Sequence, residues 1–300
     1  MGRVLQPFAY FEPSSLTEAI ALVGAPDTRI LAGGSDLILR MRRGEARPSR
    51  VVSLAKVTGL DWLAVSSAGD LEIGALATLS RVRQLVAASH QWGAFQDALD
   101  QLTPPQVHNT GTVVGNICAA VPYYDLPTAL FALGAKPRIV GAEGERLLPL
   151  ADFYVAAGTT ALRRDELVAS IIVPPSPVNA GSAFAKILKA ARRASDVHKV
   201  NAAARLVIDA ENGSIGEAAI VIGSCGLRPW RAPDAEALLI GAIAGEGVFE
   251  AAAVAAADAV QPLTDVPWVE AARRGFVRAL VGDILNLAAQ RARQHDGSAA

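Results

Sequence analysis

A chain of 300 residues, 51% hydrophobic and 19% charged, has ample apolar material for a globular protein of about two domains. A net charge of −1 and a pI near 6.4 leave no basic field for a nucleic-acid partner. Cys118 and Cys225 are the only cysteines: they give no disulfide framework, as expected of a cytoplasmic chain, and cannot supply the roughly four ligands of an iron–sulfur cluster.

The opening MGRVLQPFAYFEP has no long apolar run, so no signal peptide is expected. Residues 7–24 read as an aromatic strand-like piece and then a helix capped by Ser14 or Ser15, with Leu16, Ala19, Ile20 and Val23 on one face. The stretch TRILAGGSDLILRMRR, residues 28–43, follows. Its apolar run reads as a buried strand over 29–32, broken by Gly33 and Gly34. Ser35 and Asp36 are good N-cap residues for a helix beginning near Leu37. A strand, a Gly-Gly-Ser corner and a helix start leave backbone N–H groups free to face an anion, and missing side chains allow close approach; the same pattern also serves as an ordinary tight turn.

A short strand is expected at 50–54, a hairpin over 60–65 and 70–75, and helices at 80–89 and 94–102. Strand pairs alternating with helices point to an α+β arrangement, and the absence of GxGxxG after the first strand disfavours a Rossmann domain. A second glycine corner lies in LTPPQVHNTGTVVGNICAAVPYYDLPTALFALGA, residues 102–135, where Thr110, Gly111, Thr112, Gly115 and Asn116 bracket Val113 and Val114. These backbone and side-chain donors suit the other side of a diphosphate. Asp125, just before an apolar helix, either accepts hydrogen bonds from a ligand hydroxyl or caps that helix ahead of Pro127.

Further strands are expected at 138–140, 146–149 and 166–173, and the prolines of 174–177 mark a domain boundary. Beyond it, strands at 182–187, 200–208 and 215–223 precede helices at 233–240, 247–260 and 268–293, which suggests a small antiparallel sheet with helices on one face. Residues 189–199 form a mostly basic segment, and 294–300 read as a disordered tail. The Ala-rich run 251–260, interrupted by Asp258, falls short of the roughly 20 residues of a membrane span. The four histidines have no metal-ligand spacing, so no protein-bound metal is expected.

With these stretches in order, the chain resembles the FAD-binding (medium) subunits of the molybdenum hydroxylases, the carbon monoxide dehydrogenase and xanthine dehydrogenase family. PFAYFEPSSLTEAIALV, LAGGSDLI, TGTVVGNICAAVPYYDLPTALFALGA, ELVASIIVP and AGSAFAKILKAARRASDVHKVNAAARLVI carry the resemblance over nearly the whole chain. It implies an FAD-binding domain over 1–176, of the vanillyl-alcohol-oxidase or p-cresol-methylhydroxylase type, in two subdomains of about 1–58 and 59–176. A C-terminal flavoprotein domain over 180–293 follows. Carried over position by position, Leu31, Ala32, Gly33, Gly34, Ser35, Asp36 and Leu37 would wrap the FAD diphosphate. Thr110, Gly111, Thr112, Val114, Gly115 and Asn116 would form the opposite wall. Asp125 would bond the nucleotide part, Val168 would lie against the flavin ring, Lys186 near its polar edge, and Asp196 and Val197 beside the ring face.

A side chain added at Gly33 or Gly115 is then expected to occupy the diphosphate position with little effect on the fold. Val114 stands where the family often has glycine, so either its backbone keeps an ordinary φ or the loop is slightly shifted there. His108, where the family often has arginine, reads as a solvated loop residue, with covalent flavin attachment the lesser alternative. No catalytic residue is expected on this chain. The resemblance further implies partners: a large subunit with the molybdenum cofactor (molybdopterin) and a small subunit with [2Fe-2S] clusters, in an (αβγ)2 assembly. Electrons would pass from those clusters through FAD to NAD, a quinone or oxygen. A stand-alone FAD-dependent oxidoreductase and a nucleotide-binding module without redox activity are the competing readings.

Overall fold

A computed structural model describes residues 5–102, 104–188, 198–261 and 267–296. Three main sheets succeed one another along the chain. The first is parallel, ordered β1-β3-β2, from β1 (Ala9–Phe11), β2 (Thr28–Leu31) and β3 (Arg50–Ser53), with helices α1 (Leu16–Val23) and α2 (Leu37–Arg43) between them. Ser15 Oγ accepts from the Glu18 N–H at 3.2 Å, while the Glu18 carboxylate accepts from the Ser14 N–H at 2.9 Å, so donors at the start of α1 are satisfied by side chains. Gly44 ends α2 at φ 75° and donates to the Arg40 and Met41 carbonyls.

The second sheet is antiparallel, ordered β4-β5-β10-β6-β7. It comprises β4 (Leu63–Val65), β5 (Leu71–Gly74), β6 (Lys136–Gly141), β7 (Gly144–Leu147) and β10 (Leu167–Val173). Five helices lie between β5 and β6: α3 (Leu79–Ala87), α4 (Gly93–Asp100), α5 (Pro105–Thr110), α6 (Val113–Cys118) and α7 (Asp125–Ala132). The short α8 (Leu150–Phe153) and the pair β8 (Tyr154–Ala156) and β9 (Thr159–Thr160) precede β10. The second glycine corner, which reads as a loop in the sequence, is thus mostly helical. Thr112 caps α6, its hydroxyl accepting from the Gly115 N–H at 3.0 Å, and Val113, Val114 and Ile117 bury one side of that turn. Val114 sits inside α6 and is absent from the positive-φ residues, as its β-branch requires.

The third sheet is antiparallel, β11 (Ala180–Leu188), β12 (His198–Ile208), β13 (Ile215–Gly223) and β14 (Trp230–Arg231), followed by α9 (Pro233–Leu239), α10 (Glu246–Asp258) and α11 (Pro267–Asp296). Both faces of β12 are buried. Ala202, Ala204 and Leu206 join Phe249, Ala253, Leu280 and Ile284 of the helices in one apolar cluster. Ala203 joins Phe184 and Val221 in the larger core built on the second sheet. Small alanines suit a strand squeezed from both sides. The helix α11 reaches Asp296, so residues 294–296 of the expected tail are helical, and 297–300 lie outside the described residues.

Glu166, at the foot of β10, forms a fork with Arg146 of β7, Nε–Oε1 2.9 Å and Nη2–Oε2 2.8 Å, and also accepts from the Arg163 N–H. The Arg146 hydrogen bonds hold its carboxyl below the usual carboxylate range against the opposing effect of burial. A carboxylate with a depressed folded pKa stabilises the fold above its unfolded value, about 4.3, and that contribution fades as pH falls through the folded value. Glu166→Gln is therefore expected to cost about 1–3 kcal/mol at pH 7 and progressively less below pH ~4. Urea unfolding as a function of pH measures this; curves that stay parallel down to pH ~3 would contradict it.

Candidate functional site

The two glycine corners meet. An ideal Cβ on Gly33 would stand 1.7 Å from the Thr110 carbonyl oxygen and 3.1 Å from Gly111 Cα, so the backbones of the corners are in direct contact. A Cβ on Gly111 would lie 3.2 Å from Ser35 Oγ and 2.7 Å from the Val107 carbonyl. These glycines are thus required by the approach of one turn to the other. That corrects the expectation that a side chain at Gly33 would only fill a ligand position. Gly34 has φ 72°, a conformation that disfavours any side chain. Gly115 is different: its Cβ would meet only the Thr112 hydroxyl, at 2.7 Å.

Asp36 stands at the N-cap position of α2, but its carboxylate makes no capping bond. It accepts instead from the Tyr124 hydroxyl at 3.1 Å and lies 3.7 Å from Arg40. Burial, and then the Asp36 charge, push the Tyr124 phenol well above its ordinary value, so it remains a protonated donor at neutral pH. Leu31 closes β2, Ala32 enters the turn, Leu37 opens α2, and Ser35 is exposed.

Asp125 is the first residue of α7, and Tyr124 occupies the N-cap position. Asp125 therefore does not cap the helix. It is buried, with Oδ2 2.7 Å from Lys186 Nζ of β11 and Oδ1 3.0 Å from Asn201 Nδ2 of β12. Lys186 also donates to the Gln101 carbonyl at 2.9 Å. The structure thus brings together two residues that the sequence resemblance had set at different ends of the cofactor. Val168 is buried in β10 in the same apolar cluster as Val114. Asp196 and Val197, with Lys189, Arg192 and Arg193 of the basic segment, lie outside the described residues.

Sequence reasoning missed Tyr124 and Asn201. Asn201 carries a signal in retrospect: a lone amide in the apolar run VNAAARLVI must find buried partners. His108 departs from the solvated loop expected of it: it is buried on α5, with Nε2 2.9 Å from the Leu102 carbonyl, so Nε2 carries the proton. The Cys118 thiol is pushed up to about 12 by desolvation and stays protonated. Among the described residues there is no cluster of histidine, cysteine or acidic side chains fit for a metal ion, and no helix long and apolar enough to cross a membrane.

A pair of abutting backbone turns beside a buried carboxylate–lysine cluster suits a large polar cofactor, and the comparisons define its class. Residues 6–176 match the FAD binding domain in molybdopterin dehydrogenase, and residues 185–288 the CO dehydrogenase flavoprotein C-terminal domain. The chain belongs to the family of FAD-binding medium subunits of molybdenum hydroxylases. It is 29% identical over 288 residues to the 6-hydroxypseudooxynicotine dehydrogenase complex subunit alpha of Paenarthrobacter nicotinovorans, covering 95% of this chain and 96% of that one. It is 31% identical over 237 residues to the caffeine dehydrogenase subunit beta of Pseudomonas sp. strain CBB1, covering 78% of each. Its fold superposes on a chain of carbon monoxide dehydrogenase from Hydrogenophaga pseudoflava with a TM-score of 0.88 and 25% identity, covering 96% of this chain and 99% of that one. One atom of the site independently fits a bound cofactor: Asn116 Oδ1, on α6 beside the second turn, is buried without a hydrogen-bond partner among the described residues. A ligand N–H or O–H would satisfy it.

Proposed function

We propose that this chain is the electron-transfer component of a three-subunit molybdenum hydroxylase. In that reading a large subunit carries molybdopterin and hydroxylates the substrate, and a small subunit carries [2Fe-2S] clusters. The FAD on this chain, when bound, supplies the two-electron chemistry that links those clusters to NAD, a quinone or oxygen. The chain's own residues bind and orient. Backbone N–H groups of 32–36 and those of Val113 and Val114 at the start of α6 face the diphosphate, while those of Gly111, Gly115 and Asn116 are taken by the Val107 carbonyl, the Thr112 hydroxyl and the Thr112 carbonyl. Asn116 Oδ1 accepts from the cofactor, and Asp125 takes hydrogen bonds from its nucleotide part. Val168 packs against the ring, and Lys186, ion-paired to Asp125 at 2.7 Å, serves the same part of the cofactor as Asp125 rather than a separate edge of the ring. No residue here acts as general base, because the hydroxylated carbon lies on another subunit.

The observation that carries this reading is the two abutting glycine turns within a chain that the two family domains match over residues 6–176 and 185–288. The two cysteines of the chain cannot hold the clusters themselves, which is why a partner is required. An (αβγ)2 assembly in the cytoplasm follows by the same reading.

The test is to purify the protein from its native host and to measure flavin, iron, molybdenum and subunit composition together. One FAD per chain, copurifying with a large molybdenum subunit and a small iron–sulfur subunit, is the expected result. A yellow protein running alone, free of iron and molybdenum and turning over substrate, would replace this reading with that of a stand-alone flavoenzyme.

A further inference from the structure

Lys186, Asn201 and Gly223 lie side by side near one end of the third sheet: Lys186 is opposite Asn201 in the β11–β12 register, and Asn201 opposite Gly223 in the β12–β13 register. The first two grip Asp125 from the same side, Lys186 at Oδ2 and Asn201 at Oδ1. The amide orientation of Asn201 is fixed by chemistry, since a carboxylate only accepts and Nδ2 must face it. The same Nδ2 lies 3.3 Å from the Tyr124 carbonyl, and the Asn201 carbonyl accepts from Thr128 Oγ1 at 3.0 Å, one turn further along α7. Asn201 is completely buried. The third residue of the row makes room for it: a Cβ at Gly223 would stand 2.1 Å from Asn201 Oδ1 and 2.2 Å from Thr128 Oγ1.

One amide thus fixes the Tyr124–Asp125 corner at two points and the next turn of α7 at a third, and Tyr124 in turn reaches Asp36 of the first glycine turn. An apolar residue at position 201 would take the amide partner from the Asp125 carboxylate, the Tyr124 carbonyl and the Thr128 hydroxyl. What the amide adds is direction: it orients the Asp125 carboxylate and keeps it beside the Lys186 charge. We infer that Asn201 is a positioning residue of the FAD site, acting through Asp125. This rests on the proposal that Asp125 contacts FAD.

The experiment is FAD titration of the full-length apoprotein, followed by flavin fluorescence, for wild type, Asn201→Leu, Asp125→Ala and the double variant, each with its melting temperature. Asn201→Leu is expected to weaken FAD binding about tenfold in the wild-type background and less than about twofold in the Asp125→Ala background. The loss of melting temperature should be smaller in the Asp125→Ala background but still present there, because the Asn201–Asp125 bond is already gone while the Tyr124 and Thr128 contacts are lost in both. Equal fold-losses of FAD affinity in both backgrounds, or none in either, would overturn the inference. Should Asn201→Leu not fold, Thr128→Val replaces it: it releases the amide carbonyl without touching Asp125, and about a threefold loss that disappears with Asp125→Ala is expected. A wild-type chain that takes up no FAD would instead overturn the cofactor reading on which the inference stands.

Discussion

Gly33→Ala is expected to abolish FAD binding and to destabilise the chain together. The added Cβ would lie 1.7 Å from the Thr110 carbonyl oxygen and 2.7 Å from its carbonyl carbon. Both are backbone atoms, so no rotamer change relieves the overlap, and one turn must move by an ångström or more. Thr110 is held in α5, and the adjoining Gly111 carbonyl accepts from the Leu79 N–H at 2.9 Å, so moving the second turn strains the start of α3 as well. Overpacking of this kind costs about 1–3 kcal/mol, and the upper end is expected where only backbone is in the way. Gly115→Ala provides the contrast. There the obstacle is the Thr112 hydroxyl, and the cost is the α6 cap, about 1 kcal/mol. The flavin-to-protein ratio and thermal unfolding of both variants check the order. Full flavin occupancy and a wild-type melting temperature in Gly33→Ala would mean that the two turns are not in contact.

How much of this was legible follows from the range of the interactions. The strand ahead of Gly33, the strand β3 and the β4–β5 hairpin are local patterns, an apolar run closed by turn residues, and the chain forms them within a few residues of where the pattern places them. The third sheet with its covering helices was also legible, save for the two-residue β14. The helices α5 and α6 were not. Each has six residues, too few for a periodic apolar face to register, and their glycine and threonines read as loop until the Thr112 cap is seen.

The site was legible as two separate corners but not as one object. That Gly33 touches Thr110 depends on packing between elements far apart in sequence, and no spacing rule reports it. Asp125 left two roles open because a carboxylate before an apolar helix serves either; its place inside α7, with Tyr124 at the N-cap, and its burial against Lys186 and Asn201 exclude capping. Asn201 and Tyr124 escaped notice because their partners lie far off in sequence, on α7 and its approach for Asn201 and at the first glycine turn for Tyr124.

The joint between the second and third sheets leads to the other large effect. Arg291 of α11 forks onto Asp97 of α4, Nη1–Oδ2 2.7 Å and Nη2–Oδ1 2.8 Å, and Nη1 also donates to the Ser182 carbonyl at 2.7 Å. The Phe184 N–H donates to the same Asp97 carboxylate at 3.0 Å. Asp97 thus holds the last helix and β11 at once, and β11 is the strand that carries Lys186. Removing the carboxylate takes an acceptor from the Phe184 N–H and the counter-charge from a guanidinium whose side chain is 26% exposed. Breaking a buried pair costs about 3–5 kcal/mol, and the residual exposure of both partners places Asp97→Ala near 3 kcal/mol. The loss should fall on the third sheet first. Calorimetry is expected to show its unfolding separating from that of the second sheet, with FAD affinity reduced as Lys186 loses its fixed place beside Asp125. Asp97→Asn retains one acceptor oxygen and should recover part of the stability but not the single cooperative transition. An Asp97→Ala chain that melts in one step at the wild-type temperature would show that the remaining contacts, the apolar ones through Phe184, Ala203 and Val221 and the polar ones of Asp125 with Lys186 and Asn201, suffice to hold the two parts together.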